Sequence, residues 1–366
     1  FAQIAINLES LDNSVCPGRM DRYLYPYYRD DLRTGRLTRA RAKEILSAFS
    51  IKMSEIIPVF SRHLTGFHGG MFNGQVVTVG GVDARGKDAT NELSYIFLEI
   101  MEELRMRQPN YHARVHAKSP RRYLDMIYEV LAAGSNSPAL YNDDVIIPTL
   151  VKHGYSLADA RDYTAVGCVE PVSQGKSFSS TDAALMNTAL CLELALNRGR
   201  RFGSPLRTGP RTRPVSRMRS MDDVCSAFEA QLGGMTDRLI RDLQAIERAN
   251  TRHHPTPLTS MLLGDCLEKG VCSTAGGARY NFSGVQNTAP IDIGDALAAI
   301  EKVVFTDRRI TLPELAAILK ANIPDERDRD YLRGLPKYGN DVEEADRWSV
   351  YVIRAHTDAL RAAGLS

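Results

Sequence analysis

The stretch TAVGCVEPVS, residues 164–173, places a cysteine and a glutamate side by side where a strand is expected to end. Its β-branched, apolar start predicts a strand, and the glycine and proline around the cysteine predict a tight turn. Most free cysteines are buried and inert, so the spacing leaves a structural and a chemical role for Cys168 both open. Glu170 disfavours ordinary thiolate attack, because a nearby negative charge raises a thiol pKa. A neutral thiol beside a carboxylate suits hydrogen-atom chemistry, with the carboxylate moving protons.

The composition is that of a large, nearly neutral globular chain. Its 366 residues are 43% apolar and 25% charged, with a net charge of +2, enough for two average domains or one large barrel. This charge gives no argument for a nucleic-acid partner, and no long uncharged apolar run predicts a membrane span. Six scattered cysteines without zinc-ligand spacing predict free thiols in a reducing, cytoplasmic setting. A chain that opens on Phe1 is expected to be a piece of a longer protein.

Strand-like and helix-like segments alternate before this stretch. GQVVTVGG (74–81), YHARVH (111–116) and PALYN (138–142) are typical of strands. The segments between them have helical spacing, and Asp88 and Ser119 are predicted to cap the two helices. This order predicts a mainly parallel sheet, open or closed into a barrel, with active groups at the carboxyl ends of strands.

The second half of the chain is predicted to be mostly helical. A long helix is expected from about Ser180, and the last third is interrupted by GGARYNFSG (276–284), whose glycines indicate a turn or a close backbone approach. The arginine-rich stretch 198–219 lacks interleaved aromatic residues, so we interpret it as a solvated loop and not as a nucleic-acid patch. His112 and His116 would share a face of one strand, but no third ligand lies nearby, and no metal site is predicted.

The motif GCVEP, followed by GK at 175–176 and by Asp182, resembles the active-site loop of the glycyl radical enzymes, the pyruvate formate-lyase-like superfamily. Pyruvate formate-lyases proper have two adjacent cysteines here, whereas this chain has Gly167 before Cys168. Glu170 distinguishes the chain from the hydrocarbon-adding synthases, so the resemblance is to the Cys-x-Glu dehydratase and lyase branch. Four further segments resemble family segments in the family's order: PGRMDRYLYPYYRDDL (17–32), GKDATNELSYIFLE (86–99), GGARYNFSG (276–284) and PKYGNDVEEADRW (336–348).

The resemblance implies an α/β fold, a ten-stranded barrel of the pyruvate formate-lyase type wrapped by helices. Residues 1–366 would form part of one such barrel domain. The family's glycine radical lies in a C-terminal motif resembling RVSGY, which this sequence does not contain. An N-terminal portion and the C-terminal glycyl radical domain are therefore expected to be absent from this chain.

The resemblance also implies roles for individual residues. Cys168 matches the cysteine that becomes a thiyl radical, and Glu170 matches the acid/base of the eliminating and decarboxylating branch. Asp182 matches an aspartate that contacts substrate hydroxyls in dehydratases, although a helix cap is the alternative. Ser14 matches the serine of a His-Ser pair near the substrate, although a turn residue is the alternative. Asn13 stands where the histidine of that pair would be, which argues against a diol substrate.

The function implied is that of a radical lyase acting on a small polar substrate. Hydrogen abstraction by a thiyl radical would precede elimination across a C–O, C–N or C–S bond, or decarboxylation. No bound metal or organic cofactor is expected, because the radical is a post-translational glycyl radical on a domain outside this chain. A radical S-adenosylmethionine activating enzyme and a homodimeric partner are expected. This part alone is expected to be inactive, and the alternative is a non-catalytic remnant that binds a small molecule or serves as a structural subunit.

Overall fold

Three parallel strands, β1 (Val76–Gly80), β2 (Asn110–Val115) and β3 (Ala139–Asn142), form one sheet in the order β1-β2-β3. The register of the second pair sets His112 opposite Ala139. Parallel neighbours need long crossover connections, and helices supply them here. The three strands and their parallel pairing confirm the sequence prediction for this part of the chain.

The computed structural model describes residues 8–9, 16–56, 61–67, 74–135 and 137–364. The chain divides into two compact units, the first made of Phe1–Ser180 and Ala249–Phe282 and the second of Thr181–Arg248 and Ser283–Ser366. Up to Ser173 the remaining elements are α1 (Met20–Tyr23), α2 (Tyr25–Arg33), α3 (Arg39–Ser54), α4 (Arg62–Phe67), α5 (Glu92–Leu104), α6 (Arg121–Ala132), α7 (Asp143–Lys152), α8 (Leu157–Arg161), β4 (Tyr163–Val166) and β5 (Glu170–Ser173).

The later elements are mostly helical. They are β6 (Ser177–Asn187), α9 (Thr188–Leu196), α10 (Met221–His253), α11 (Pro257–Met261), α12 (Cys266–Lys269), β7 (Tyr280–Thr288), α13 (Pro290–Ile300), α14 (Leu312–Lys320), α15 (Glu326–Arg333) and α16 (Glu343–Ala362), with 3₁₀ turns at Val215–Arg217 and Ser273–Ala275 and a π-helical turn at Glu301–Thr306. Strands β6 and β7 form a two-stranded sheet, and β4 and β5 an antiparallel hairpin.

Helices α5 and α6 cover the parallel sheet through a hydrophobic core. Val77 and Val79 of β1 pack with Ile96 and Phe97 of α5 and with Ile127 of α6, and all five side chains are buried. Burying one such side chain contributes roughly 1.5–3 kcal/mol. The core also includes Tyr111 and Ala113 of β2, and the Asn110 side chain of the same strand reaches the hairpin described below.

A buried ion pair connects the sheet to the start of β4. The Arg114 guanidinium on β2 donates two hydrogen bonds to the Asp143 carboxylate, at 2.8 and 2.9 Å, and a third to the Tyr163 carbonyl at 2.8 Å. The Tyr163 hydroxyl donates to the same carboxylate at 2.8 Å. A side chain at Gly81, which has φ +76°, would lie 2.5 Å from the guanidinium. Both charged groups are hydrogen-bonded to other groups of the protein, as the burial of two charges requires. The bond from Arg114 to the Tyr163 carbonyl fixes the start of β4.

The second unit is built from packed helices. Cys191 of α9, Phe228 of α10, Leu297 of α13 and Val352 of α16 belong to one core and are fully buried. Gly294 allows α13 and α16 to approach closely, because a side chain there would lie 2.1 Å from the Ser349 hydroxyl. This helical unit agrees with the sequence interpretation of the second half of the chain.

Three local predictions were wrong. The segment from Ser180 to Asn187 belongs to β6, and the helix begins only at Thr188, where the Asn187 side chain accepts from the Leu190 amide. Pairing with β7 overrides the helical spacing there. Asn91, and not Asp88, caps α5. No side chain caps α6, because the Ser119 hydroxyl accepts from the His116 amide instead.

The fold class is mixed α/β, as predicted. Among the described residues there are seven strands in three sheets, and the closed ten-stranded barrel stays a prediction. No helix in the described part of the chain combines the length and apolarity that crossing a membrane would require.

Candidate active site

Cys168 lies at the tip of the β4–β5 hairpin, in a three-residue turn that begins at Gly167. Gly167 has φ +56°, a left-handed conformation that a side chain disfavours. The Cys168 residue is exposed. The sequence predicted a tight turn directly after a strand, and the structure has it, although β4 pairs with an antiparallel neighbour and not with the parallel sheet.

The Glu170 carboxylate folds back over this turn. One carboxylate oxygen accepts hydrogen bonds from the main-chain amides of Cys168, at 3.2 Å, and of Val169, at 2.9 Å. These hydrogen bonds from main-chain amides to a carboxylate are charge-assisted, and they hold the carboxylate on the loop that carries the thiol. Such an arrangement can place a proton acceptor beside a hydrogen-atom donor without a second structural element.

A cavity of about 320 Å³ lies against this hairpin, within the first unit. Its lining includes Thr164, Val166 and Val172. Glu170 pairs directly with Val166, and directly opposite residues of an antiparallel pair point to the same face. The carboxylate therefore belongs to the face of the hairpin that borders the cavity, whose volume suits a small molecule.

A thiol other than that of Cys168 lines this cavity. Cys16 donates a hydrogen bond from Sγ to the Gly74 carbonyl at 3.4 Å. Burial is the main cause that raises the pKa of Cys16 to about 11, and the nearby Glu170 and Cys168 add to the rise. Cys16 is thus a neutral thiol close to the candidate site, and the sequence reasoning gave it no role.

His112 also lies against the thiol loop. The residue is 2% exposed, and its ring stacks on that of Tyr141 with a centroid distance of 4.8 Å. Burial lowers the pKa of His112 to about 4, although a hydrogen bond to the main chain of Cys168 acts in the opposite direction. His116 instead contacts Asp88 at 3.1 Å. No group of three or more metal-ligating side chains occurs among the described residues.

Residues 1–364 match the pyruvate formate lyase-like family. The chain belongs to this family. It is 33% identical to the (2S)-3-sulfopropanediol dehydratase of Klebsiella oxytoca over 350 residues, which cover 94% of this chain and 42% of the dehydratase. The fold is similar to that of a glycyl radical enzyme from Archaeoglobus fulgidus, with a TM-score of 0.89 and 36% identity over 96% of this chain and 45% of that one.

The B12-independent glycerol dehydratase of Clostridium butyricum is a further structural relative of this pyruvate formate lyase-like chain. The TM-score is 0.88 and the identity 35%, over 94% of this chain and 43% of the dehydratase. The chain therefore spans less than half the length of these relatives. The resemblance to glycyl radical dehydratases and lyases that the sequence motifs predicted is confirmed.

Of the other three predicted site residues, the structure describes Asp182 but not Asn13 or Ser14. Asp182 lies inside β6, half-buried, in the second unit, so the alternative reading of it as a helix cap is wrong. Asn13 and Ser14 lie outside the described residues. The predicted substrate-binding roles of all three residues stay predictions.

Lys176, of the GK motif, anchors the chain just after the hairpin. Its ammonium group pairs with Asp159 of α8, whose carboxylate also accepts from the Tyr280 hydroxyl at 2.8 Å. Burial, the largest single influence, raises the pKa of Asp159, but hydrogen bonds from Lys176, Tyr280 and Ser156 together lower it to about 2. The ion pair joins three segments around the candidate site.

Because the folded-state pKa of Asp159 lies below its ordinary value, its stabilising contribution is present at neutral pH and is lost as the pH falls through 4 toward 2. We expect Asp159→Asn to lower the free energy of unfolding at pH 7 by about 2 kcal/mol. At pH 3 the difference in the free energy of unfolding between Asp159→Asn and the wild type should shrink to about half. Urea unfolding of the full-length protein at the two pH values measures this. Asp125→Asn, which breaks an exposed pair with Arg121 on α6, is the matched control and should cost less than about 1 kcal/mol. A pH-independent difference would contradict the prediction.

Proposed function

We propose that this chain is the central part of a glycyl radical lyase, in which Cys168 transfers hydrogen atoms and Glu170 transfers protons. The observation that carries the proposal is the Glu170 carboxylate held against the amide of Cys168 at 3.2 Å, beside a cavity of about 320 Å³. The family membership and the similarity to dehydratases support it. The part of the enzyme that holds the radical would lie outside this chain.

The exposed position of Cys168 at a hairpin tip fits a partner segment that must reach the sulfur. When present, the glycyl radical supplies a one-electron centre that accepts the hydrogen atom of the Cys168 thiol. The sulfur then takes a hydrogen atom from a substrate carbon, so one S–H bond forms and one C–H bond breaks. The closed barrel that the family implies would exclude water and other hydrogen donors from this step.

Glu170 would act on the neighbouring substrate group. In an elimination, its carboxylate takes a proton from an adjacent hydroxyl group, so that electron density on the substrate radical rises, and the neighbouring group departs with its bonding pair and takes up that proton. In a decarboxylation, the carboxyl group gives its proton to Glu170, carbon dioxide departs, and the bonding pair stays on the substrate carbon, which regains the proton. The product-side carbon then regains a hydrogen atom from the Cys168 thiol. The thiol and the carboxylate thus have separate tasks, one for hydrogen atoms and one for protons.

The substrate class that we propose is a small polar compound that loses a group across a C–O, C–N or C–S bond, or carbon dioxide. Asn13, in place of a histidine, makes glycerol and related diols poorer candidates. Relatives act by name on (2S)-3-sulfopropanediol, isethionate, trans-4-hydroxy-L-proline and indoleacetate. These four compounds, with glycerol, form a suitable first panel.

The test uses the full-length protein after anaerobic treatment with its radical S-adenosylmethionine activating enzyme. We expect a doublet in the electron paramagnetic resonance spectrum, from a glycine-centred radical, and turnover of at least one small polar compound. A complete protein that stays spectroscopically silent under conditions that activate a relative would overturn the proposal. That result would favour the alternative, a non-catalytic relative that binds a small molecule or serves as a subunit.

A further inference from the structure

We infer that the arginine-rich stretch 198–219, called the arginine loop below, is a docking surface for an acidic segment of a protein partner. The inference goes beyond the proposed function and does not depend on the chemistry of Cys168. The loop contains eight arginines and no lysine, aspartate or glutamate, so it carries +8 in a chain whose net charge is +2 and leaves −6 on the rest. The excess of positive charge is therefore concentrated in one loop of the second unit.

The arginine loop has a defined conformation between α9 and α10. The Gly199 carbonyl accepts hydrogen bonds from the amides of Thr208 and Gly209, at 2.9 and 3.0 Å. The fully buried Gln231 side chain on α10 donates to the Pro210 carbonyl at 2.8 Å. These bonds close the loop on itself and attach it to a helix. A surface that is ordered in advance loses less conformational entropy when a partner binds.

The guanidinium groups of this loop face solvent, and most of them have no carboxylate. All eight arginines are exposed. Arg213 pairs with Asp223, whereas the other seven form no ion pair with a carboxylate of any residue that the structure describes. Arg200 and Arg207 lie directly opposite each other in an antiparallel bridge, where two like charges are destabilising. The loop thus maintains a repulsive cluster of charges, which an anionic partner would relieve.

The exclusive use of arginine in this loop points to carboxylates or phosphates. The planar guanidinium can bind either oxyanion through two parallel hydrogen bonds, which a lysine ammonium cannot do. Sites for nucleic acid add aromatic rings that stack on bases, or a helix that enters a groove. The one aromatic ring of the loop, Phe202, is partly buried against the core of the second unit, and its helical part is a 3₁₀ turn of three residues. The carboxylates of a protein therefore fit the loop better than nucleic acid.

An exposed leucine lies among these charges. Leu206 is 71% exposed and directly precedes Arg207, and its amide donates to the Ser204 hydroxyl at 3.2 Å. A single exposed leucine is common, but one beside unpaired arginines matches the apolar centre and polar rim of a protein interface. The partner segment that fits has several aspartates or glutamates around one apolar side chain.

Substitutions at two positions separate docking from folding. Arg207→Glu reverses a charge and places an opposite charge across the bridge from Arg200, so the loop should be at least as stable as in the wild type. Arg207→Lys keeps the charge but not the planar guanidinium, and Leu206→Ser removes the apolar contact. Arg327→Glu is the matched control, because Arg327 is exposed on α15 of the same unit but lies within the acidic stretch DERDRD, 325–330.

The first measurement is binding of the full-length protein to a fluorescent peptide in which glutamates flank one central leucine. We expect binding that weakens as the salt concentration rises from about 50 to about 300 mM. Arg207→Glu should weaken it at least about tenfold, Arg207→Lys and Leu206→Ser at least about threefold, and Arg327→Glu less than about twofold. A peptide with serine in place of leucine should bind the wild type and Leu206→Ser equally well, because the apolar contact is already absent.

Two outcomes of the binding measurement would overturn the inference. One is that the wild type does not bind the acidic peptide, or that Arg207→Glu binds it as tightly as the wild type does. The other is that an oligothymidylate of equal charge, or a phosphatidylserine vesicle, binds the loop more tightly than the peptide, since either would assign the surface to a different class of partner.

The second measurement excludes a purely structural role for the arginines. The melting temperature of Arg207→Glu should be equal to or above that of the wild type, and the activated variant should turn over the converted panel compound at the wild-type rate. A melting temperature lowered by more than about 4 °C would mean that the arginines serve folding, which would contradict the inference. If the proposed radical chemistry fails, the peptide measurement still decides on the docking surface, because it needs neither substrate nor radical.

Discussion

Replacement of Cys168 by serine should abolish turnover of the full-length, activated protein, lowering kcat by at least about 10⁴-fold. The thiol is the proposed hydrogen-atom carrier, and an alcohol O–H bond is much stronger than a thiol S–H bond. A barrier increase of only about 5.5 kcal/mol already slows a reaction 10⁴-fold. Because serine is close in size and the residue is exposed at a hairpin tip, the fold should be unaffected. Anaerobic product assays with the converted panel compound measure the effect.

The spectroscopic control keeps this result interpretable. The radical doublet of the Cys168→Ser protein should match that of the wild type, because the radical would reside on a segment outside this chain. Cys225→Ser, on α10 of the second unit, is the matched cysteine control and should retain full turnover. If Cys168→Ser retained more than about 1% of the wild-type rate with a normal doublet, another group would have to carry the hydrogen atom.

The sequence was sufficient for the parts of the fold that depend on local pattern. Strands β1, β2 and β3 were predicted within about two residues of their observed bounds, because short apolar or alternating runs next to glycine or proline are local signals of strands. The turn at Gly167 followed from the same signals. These strands and this turn depend on local sequence, so they can be predicted from a single sequence without relatives.

The sequence was not sufficient for segments whose structure depends on pairing with a distant part of the chain. Residues 180–187 have helix-compatible spacing, yet β6 pairs with β7 about 100 residues later, and no local signal indicates such a partner. Asn91 lies only three residues from the predicted cap Asp88, a shift that local pattern does not resolve.

The candidate site was predicted where it is continuous in sequence and missed where the fold assembles it. Cys168 and Glu170 are two residues apart and were identified together. His112 and Cys16 come from segments 56 and 152 residues earlier in the chain, and their nearness to the loop depends on the parallel sheet. No local signal links either residue to the loop, because only the packing of segments far apart in the chain brings them near it.

Substitution of Glu170 by glutamine should leave hydrogen-atom transfer intact while removing the elimination or decarboxylation step. Glutamine has nearly the same shape, and its side-chain carbonyl can still accept from the amides of Cys168 and Val169, so the turn should keep its conformation. It cannot take a proton at neutral pH. Loss of a general base typically costs about 10²- to 10⁴-fold, and we expect kcat to fall within that range with a normal radical doublet.

The two site variants should differ in one further measurement, which separates their roles. With substrate deuterated at the reacting carbon, the Glu170→Gln enzyme should still pass deuterium to the exchangeable Cys168 thiol and so lose it to water without forming product. The Cys168→Ser enzyme should do neither. Glu268→Gln, an exposed acid on α12, is the matched control and should turn over normally. Turnover by Glu170→Gln within about threefold of the wild type would mean that another group moves the proton, and a lack of deuterium loss would mean that the carboxylate is already needed when the C–H bond breaks.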